Sequence, residues 1–475
     1  MEKRVFDIPK HIIFLSDLLF GKGVEIYLVG GYVRNSLLSL PVTDLDICSI
    51  AKPDDIASAL IENKEISIIE KAIDFGTIQI DLNFEGKKFS FEHTTFRNDF
   101  YHEDGSHRPK YVSFTKDIKL DASRRDFTIN AIYYNIEKNE LIDPLGGIDD
   151  LNKMIIRAAK QDPKTTLSDD GLRILRMVRF AAQLNFKIDP DLFKAAKTYI
   201  DYLADISAER KYIEIKKIML ADVKYIGYKG AFNTKKHTRG MIILNQIGGL
   251  KYTFERLIEG KGFKQSKKYH EYDVYNHLVQ SYDYSEPDLV LRFSALFHDV
   301  GKPEAFSNTD KRYEHDAIGE EIAHDMLSDL KAPKAIINDV CLLVKNHMFD
   351  LEGNAKPSTV KRKAGKIGFD NMLNLAKLRK ADFLGSGKIF DEVETATRWE
   401  QIVFEMREKE TPESVLDLEI NGNDLIKEFG IKNGKDIGLI LNKLFNLTLV
   451  KPSQNKRDLL LNNVKNIIKQ GDITL

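Results

Sequence analysis

The chain has 475 residues, too many for one hydrophobic core, so several domains are expected. A hydrophobic share of 43% with 30% charged residues fits a water-soluble globular protein, and 71 basic against 72 acidic residues exclude a globally basic nucleic-acid binder, so any such surface has to be local. No stretch approaches the ~20 apolar residues that span a bilayer, and Cys48 and Cys341 stand too far apart for a CxxC-type metal site, so a reducing, cytoplasmic location is expected.

Ile26 to Val29 is an apolar run of strand length that breaks at Gly30-Gly31. A short helical pattern runs from Tyr32 to Leu38, the chain turns at Pro41, and Asp44-Leu45-Asp46-Ile47 returns as a strand. Side chains two apart in a strand share a face, so Asp44 and Asp46 present two carboxylates together while Leu45 and Ile47 enter the core. Adjacent carboxylates repel unless a cation joins them, and hard oxygen ligands suit Mg²⁺ with substrate phosphates. The paired glycines let backbone N–H groups approach an anionic triphosphate.

Residues 54 to 63 have helical spacing, and strand-like runs follow at 76–82 and 88–96. In the second run Glu92 shares a polar face with Ser90 and Thr94 at a sheet edge, where it supplies a third carboxylate. Residues 98 to 109 are too polar and glycine-broken to form an element and read as a mobile loop. Arg124-Arg125-Asp126-Phe127-Thr128-Ile129-Asn130-Ala131 then sets two guanidiniums at the start of an apolar helical run, a compact anion site with Asp126 orienting them or meeting a sugar. From 162 to 262 the pattern is helical, with Arg173, Arg176 and Arg179 spaced by three after Asp169-Asp170. Ser207 with Glu209, Arg210 and Glu214 reads as a helix cap and a structural tie. His277, His298-Asp299, His315, His347 and Asp382 mark residues 265 to 400, and the segment from 412 onward is helical, with local positive charge at Lys451, Lys456, Arg457, Lys465 and Lys469.

Gly30-Gly31-Tyr32-Val33-Arg34 followed by Asp44-Leu45-Asp46, together with the Arg124–Ala131 string, resembles the signature of class II tRNA nucleotidyltransferases, the family of bacterial CCA-adding enzymes and poly(A) polymerases. The resemblance covers essentially the whole chain and is marked towards Gram-positive CCA-adding enzymes. It implies an α+β fold: a polymerase-beta-like nucleotidyltransferase head with a small mixed sheet at 1–155, a helical neck and body at 156–264, an HD domain at 265–400 and a helical, RNA-binding tail at 401–475. It also implies Mg²⁺ on Asp44 and Asp46, with Glu92 beside them, and a nucleotide held by Gly30, Gly31, Arg34, Arg124, Asp126, Asn130, Asp170, Arg173, Arg176 and Arg179. Phe297 to Pro303 resembles the HD motif of metal-dependent phosphohydrolases, in which His277, His298, Asp299 and Asp382 ligate a transition metal such as Mn²⁺, Ni²⁺ or Fe.

Three positions depart from the family pattern: Asn35 stands where Asp is usual, Asp169 where Glu is usual, and Ser106-His107 interrupts the flexible-loop motif. The expected activity is addition of C, C and A to tRNA from CTP and ATP without a nucleic-acid template. Rival expectations are a poly(A) polymerase or an A-adding enzyme of the same family, and an HD phosphohydrolase whose head serves to bind RNA.

Overall fold

Short apolar runs build the N-terminal half around a mixed sheet. Its strands and an adjoining hairpin are, in chain order, β1 (Tyr27–Val29), β2 (Asp46–Ser49), β3 (Ile66–Ala72), β4 (Thr77–Phe84), β5 (Lys87–Thr95), β6 (Arg97–Tyr101), β7 (Pro109–Phe114), β8 (Tyr133–Asn135) and β9 (Glu140–Ile142). The computed structural model describes residues 6–42, 45–101, 109–267, 269–307, 314–388, 393–431 and 434–469, and it divides into two units, Met1–Thr253 and Phe254–Leu475. Among the described residues no helix is long and apolar enough to cross a membrane.

In the first unit the sheet order is β3-β4-β5-β2-β1-β8-β9, with β2 and β5 parallel and the other neighbours antiparallel. Val29, Cys48 and Tyr133 of its central strands pack with Phe96, Ala122 and Ala131. Gly30 ends β1 with φ 74°, a conformation that glycine adopts freely, and a Cβ there would lie 3.2 Å from Asp46 Oδ2. The turn therefore brings backbone directly against the carboxylate that opens β2.

Three sequence expectations need correction. β5 lies inside the sheet between β4 and β2, so Glu92 is not on an edge strand; its neighbour in register is Asp46. Residues 98 to 101 are not loop but part of β6, which pairs with β7 and stacks Phe100 on Tyr111 at 4.6 Å between centroids. Arg124-Arg125 does not open a helix. The pair follows the helix Ile118–Ser123, and Thr128–Asn130 makes one 3₁₀ turn before β8, because apolar Ile132, Tyr133 and Tyr134 fill the sheet.

The helix Leu172–Gln183 packs against the helices Ala208–Met219 and Lys236–Gln246 and is buried on nearly every side. Its Arg row is accordingly not a solvated stripe. Arg179 Nε meets Glu214 Oε2 at 2.6 Å with both side chains buried, and Ser207 Oγ caps its helix by accepting from Arg210 N. Burial lowers the Arg179 guanidinium to about 10 even with Glu214 beside it.

Among its described residues, the named elements of the second unit are all helices. Helices Val274–Tyr284, Leu289–Phe297, His315–Asp329, Lys334–Asn346 and Phe369–Gly385 form its first part. Trp399 of Glu394–Glu408 sits in a core shared with the tail helices Gly422–Phe429, Gly434–Val450 and Arg457–Lys469. Gly385 lets the helix Phe369–Gly385 close on Val274–Tyr284, since a Cβ there would collide with Ser281.

Glu214→Ala should lower the stability of the first unit by about 3–5 kcal/mol, because it leaves Arg179 buried and unpaired. Urea denaturation followed by circular dichroism measures this; an unchanged midpoint would mean that Arg179 is compensated by other groups.

Candidate active site

The site is assembled from separated segments of the first unit. A cavity of about 530 Å³ is lined by Gly30, Gly31 and Asp46, by Arg124, Arg125, Asp126 and Asn130, and by Asp170, Arg173, Arg176 and Arg210. A second cavity of about 360 Å³ shares Gly31, Asp46 and Arg176 with the first and adds Arg34, Arg179, Lys217 and Lys224. Together they form a cationic hollow with the exposed Asp46 carboxylate at its mouth. The expected partner Asp44 lies outside the described residues. Glu92 lines neither cavity; it is about half exposed and lies 4.0 Å from Lys71.

Asp126 organises the cavity by gripping Arg176 rather than Arg124 or Arg125. Its Oδ2 accepts from Arg176 Nε at 2.8 Å and from Nη2 at 2.5 Å, while Oδ1 accepts from Asn130 Nδ2 at 2.9 Å and from the backbone N–H of Phe127. Burial acts to raise the Asp126 carboxyl, but Arg176 and Asn130 hold it at about 2. Arg34 is enclosed by neutral groups. It donates to Asn35 Oδ1 at 3.0 and 2.8 Å, to Asn130 Oδ1 at 2.6 Å and to the Tyr225 hydroxyl, and its guanidinium lies 4.9 Å from the Phe180 ring centre. Asn35 completes this cage by donating to Pro41 O and Tyr225. An amide at position 35 aligns Arg34 without cancelling its charge; burial lowers the Arg34 pKa, a desolvation cost that an anion entering the second cavity would offset.

The carboxylate that aims Arg124 and Arg125 is Asp121, which the motif reading missed. Fully buried, it accepts from Arg124 Nε at 2.8 Å, from Arg125 Nη2 at 3.2 Å, from the Tyr133 hydroxyl at 2.6 Å and from Arg97 N at 3.2 Å. Its signal was present in the three- and four-residue spacing to the Arg pair on one helical turn. Burial would raise its pKa, yet the two guanidiniums and the Tyr133 hydroxyl hold it at about 2.

Asp170 and Arg173 both face the first cavity, although not from one helix face, because Asp170 has extended backbone ahead of the helix Leu172–Gln183. Asp170 Oδ1 accepts from Leu172 N at 3.1 Å and Oδ2 from Arg210 Nη2 at 2.7 Å. Arg173 donates to Thr166 O and Arg124 O, which fixes its plane. Arg210, read from sequence as purely structural, thus reaches the cavity from another helix.

A separate cluster lies inside the second unit. His277, His298 and His347 each donate Nδ1–H to a backbone carbonyl, of Gly385, Ala295 and Val344 respectively, so each turns an Nε2 lone pair inward. The Nε2 atoms of His277 and His298 are 3.1 Å apart, and Asp382 Oδ1 is 3.1 and 3.4 Å from them. Two lone pairs at that distance require a cation or proton between them. Burial alone would lower His277, but Asp299 and Asp382 raise it to about 9, so a proton stabilises the same place that a metal ion fits. The ligand atoms of His277, His298 and Asp382 all lie within 4.8 Å of one another.

Residues 26–157 match the sequence model of the poly A polymerase head domain, and residues 315–464 that of tRNA nucleotidyltransferase domain 2. The fold is similar to that of the Bacillus stearothermophilus CCA-adding enzyme in complex with CTP, with a TM-score of 0.70 at 21% identity over 97% of this chain and 98% of that one. It is also similar to the Thermotoga maritima CCA-adding enzyme complexed with tRNA, with a TM-score of 0.57 at 19% identity over 98% and 97% of the two chains. Fold and cavity define a nucleotidyltransferase with a head of the poly(A) polymerase type. Among curated relatives, the CCA-adding enzyme of Ligilactobacillus salivarius is 26% identical over 94% of both chains, and that of Streptococcus pneumoniae 29% identical over 89% of this chain and 88% of its own. Nearly the whole chain is thus similar to CCA-adding enzymes, in line with the resemblance to class II tRNA nucleotidyltransferases carried by its motifs.

Asp121→Asn should destabilise the first unit by at least about 2 kcal/mol at neutral pH. A carboxyl lowered from 3.8 to about 2 adds stability above its ordinary value and loses it as pH falls through that window, so the gap between wild type and variant should close between pH 4 and pH 2. Urea midpoints across that range test this; a gap independent of pH would remove Asp121 as the anchor of the Arg pair.

Proposed function

We propose that the chain is a CCA tRNA nucleotidyltransferase that adds C, C and A to the tRNA 3′ end from CTP and ATP, without a nucleic-acid template, in the cytoplasm. The observation that supports this most is the convergence of Gly30-Gly31, Asp46, Arg124 to Asn130 and Asp170 to Arg176 on one cavity. In this reading the nucleotide is bound by Gly30, Gly31, Arg34, Arg124, Asp126, Asn130, Asp170, Arg173, Arg176 and Arg179. Gly30-Gly31 offers backbone N–H groups to the triphosphate, and the buried Arg34 and Arg179 meet its oxygens. Asp46 and Asp44, with Glu92 beside Asp46, would hold Mg²⁺, which would supply the charge that activates the tRNA 3′-hydroxyl for in-line attack on the α-phosphate and offsets the leaving pyrophosphate. The exposed Asp46 carboxylate facing a cationic hollow is a suitable ligand for it, since Mg²⁺ pairs one or two carboxylates with phosphate oxygens.

Base choice follows from polarity. Cytosine presents an amino donor at N4 beside acceptors at N3 and O2, and adenine an amino donor at N6 beside an acceptor at N1. Asp170 accepts, Arg173 donates, and Arg210 holds the Asp170 carboxylate in place. Guanine and uracil present a carbonyl and an N–H at the corresponding places and meet both side chains with like polarity. Recognition of tRNA would rest on acceptor-stem shape and on the tail at 401–475, with the head at 1–155, the neck and body at 156–264 and the histidine-bearing segment at 265–400 as the other functional divisions.

The inward-facing lone pairs in the second unit support a second activity there. His277, His298, Asp299 and Asp382 would hold a transition metal, Mn²⁺, Ni²⁺ or Fe, in a phosphohydrolase centre of the HD type.

Two substitutions test the head. Asp46→Ala should lower nucleotide addition by ~10³-fold or more, and a near wild-type rate would move the chemistry elsewhere. Asp170→Ala should relax the preference for CTP and ATP over UTP and GTP by ~1–3 kcal/mol on the same tRNA transcript. A slower enzyme with that preference intact would show that the base is read by other groups.

A further inference from the structure

Position 35 holds Asn where the family pattern has Asp, and its surroundings fit the amide. Asn35 Nδ2 donates to Pro41 O at 2.8 Å and to the Tyr225 hydroxyl at 3.1 Å, while Oδ1 accepts from Arg34 Nε at 3.0 Å and from Nη2 at 2.8 Å. A carboxylate has no hydrogen to give, so Asp at this place would set a charged oxygen against the Pro41 carbonyl oxygen. Tyr225, from a segment 190 residues further along the chain, closes the arrangement by accepting from Arg34 Nη2 as well. Arg34, Asn35 and Tyr225 are all buried.

The consequence falls on Arg34. Of the other guanidiniums that line the second cavity, Arg176 is paired with Asp126 and Arg179 with Glu214. Arg34 is met instead by the amides of Asn35 and Asn130 and by the Tyr225 hydroxyl, with no carboxylate at ion-pair distance among the described residues. Neutral acceptors orient a guanidinium and leave its charge in place, and a buried charge without a counter-ion is costly until an anion arrives. An Asp at 35 would stand where Asn35 Oδ1 already takes two N–H groups of Arg34, and so would itself be that anion. The cavity has room for a phosphate group, at about 360 Å³, and Lys217 and Lys224 also line it.

We propose that Asn35 and Tyr225 are positioning residues that keep Arg34 aimed and uncompensated, so that the amide at 35 sets how tightly the second cavity holds pyrophosphate, both as part of the incoming nucleotide and as the released product. The proposal rests on the reading of Arg34 as a triphosphate contact and deepens it. A carboxylate at 35 would loosen substrate and product together, because both present the same phosphate oxygens to Arg34.

The test is calorimetric binding of inorganic pyrophosphate and of CTP, each with Mg²⁺, to the full-length chain. Asn35→Asp should weaken both ligands by ~10-fold, the worth of one hydrogen bond to a charged group. Asn35→Ala loses the amide and adds no charge, so it should weaken them less, and Tyr225→Phe should weaken them by ~3-fold. If Asn35→Ala costs as much as Asn35→Asp, residue 35 acts through geometry alone and the charge role is overturned. Unchanged affinity in Asn35→Asp also overturns it, as does unchanged affinity in Tyr225→Phe if the first variant fails to fold. Arg34→Gln separates this proposal from the reading beneath it. Weaker pyrophosphate binding in Arg34→Gln with none in Asn35→Asp refutes the proposal alone, whereas unchanged binding in Arg34→Gln refutes the placement of the triphosphate on Arg34 as well.

Discussion

The pair between the buried Asp126 and the partly exposed Arg176 is the contact on which the head depends. It joins the turn before β8 to the helix Leu172–Gln183 and so fixes the sheet, which carries Asp46, relative to the helix that carries Arg173 and Arg179. Asp126 is buried, so its charge is held only because every lone pair is answered, by Arg176 on one oxygen and by Asn130 and Phe127 on the other. Asn130 then reaches on to Arg34. A chain of hydrogen bonds thus runs from the helix through the turn to Arg34 and Asn35, and it links residues that line the two cavities.

Local concentration explains how a chain of formal charge -1 presents so cationic a hollow. The carboxylates near the site are turned inward and spent on positioning: Asp121 on Arg124 and Arg125, Asp126 on Arg176, Glu214 on Arg179. Arg34 alone is aligned by amides and a hydroxyl, through Asn35, Asn130 and Tyr225. The second unit is built from the opposite materials, with imidazole lone pairs and two buried carboxylates gathered around a place for softer cations. The carboxylates and guanidiniums around the cavities and the clustered imidazoles of the helical bundle lie in separate units.

Much of this was legible in the sequence because the informative spacings are short. The glycine turn at Gly30-Gly31, the carboxylate at Asp46 and the Arg row of 173, 176 and 179 are each local patterns, and the mixed sheet followed by helices was expressed in the change from short strand-like runs to helical periodicity. What the sequence left hidden depends on contacts between distant segments. Whether β5 is central or peripheral is decided by its parallel pairing with β2, some forty residues earlier in the chain, and no alternation pattern records that. Arg210 enters the cavity only because its helix lies beside Asp170, and His315 and His347 meet Asp299 only through the packing of helices distant in sequence. Asp121 was the exception, a local signal passed over because the Arg pair drew attention to the residues after it.

The central claim is that the protein itself, with no nucleic-acid template, selects C twice and then A. A tRNA transcript ending at the discriminator base, incubated with Mg²⁺ and CTP, with ATP, or with both, and resolved at single-nucleotide length, tests it most directly. The account predicts extension by two residues with CTP alone, by three with both, and then arrest. Continued growth with ATP alone on any RNA 3′ end would make the chain a poly(A) polymerase and contradict the base-selection scheme built on Asp170 and Arg173.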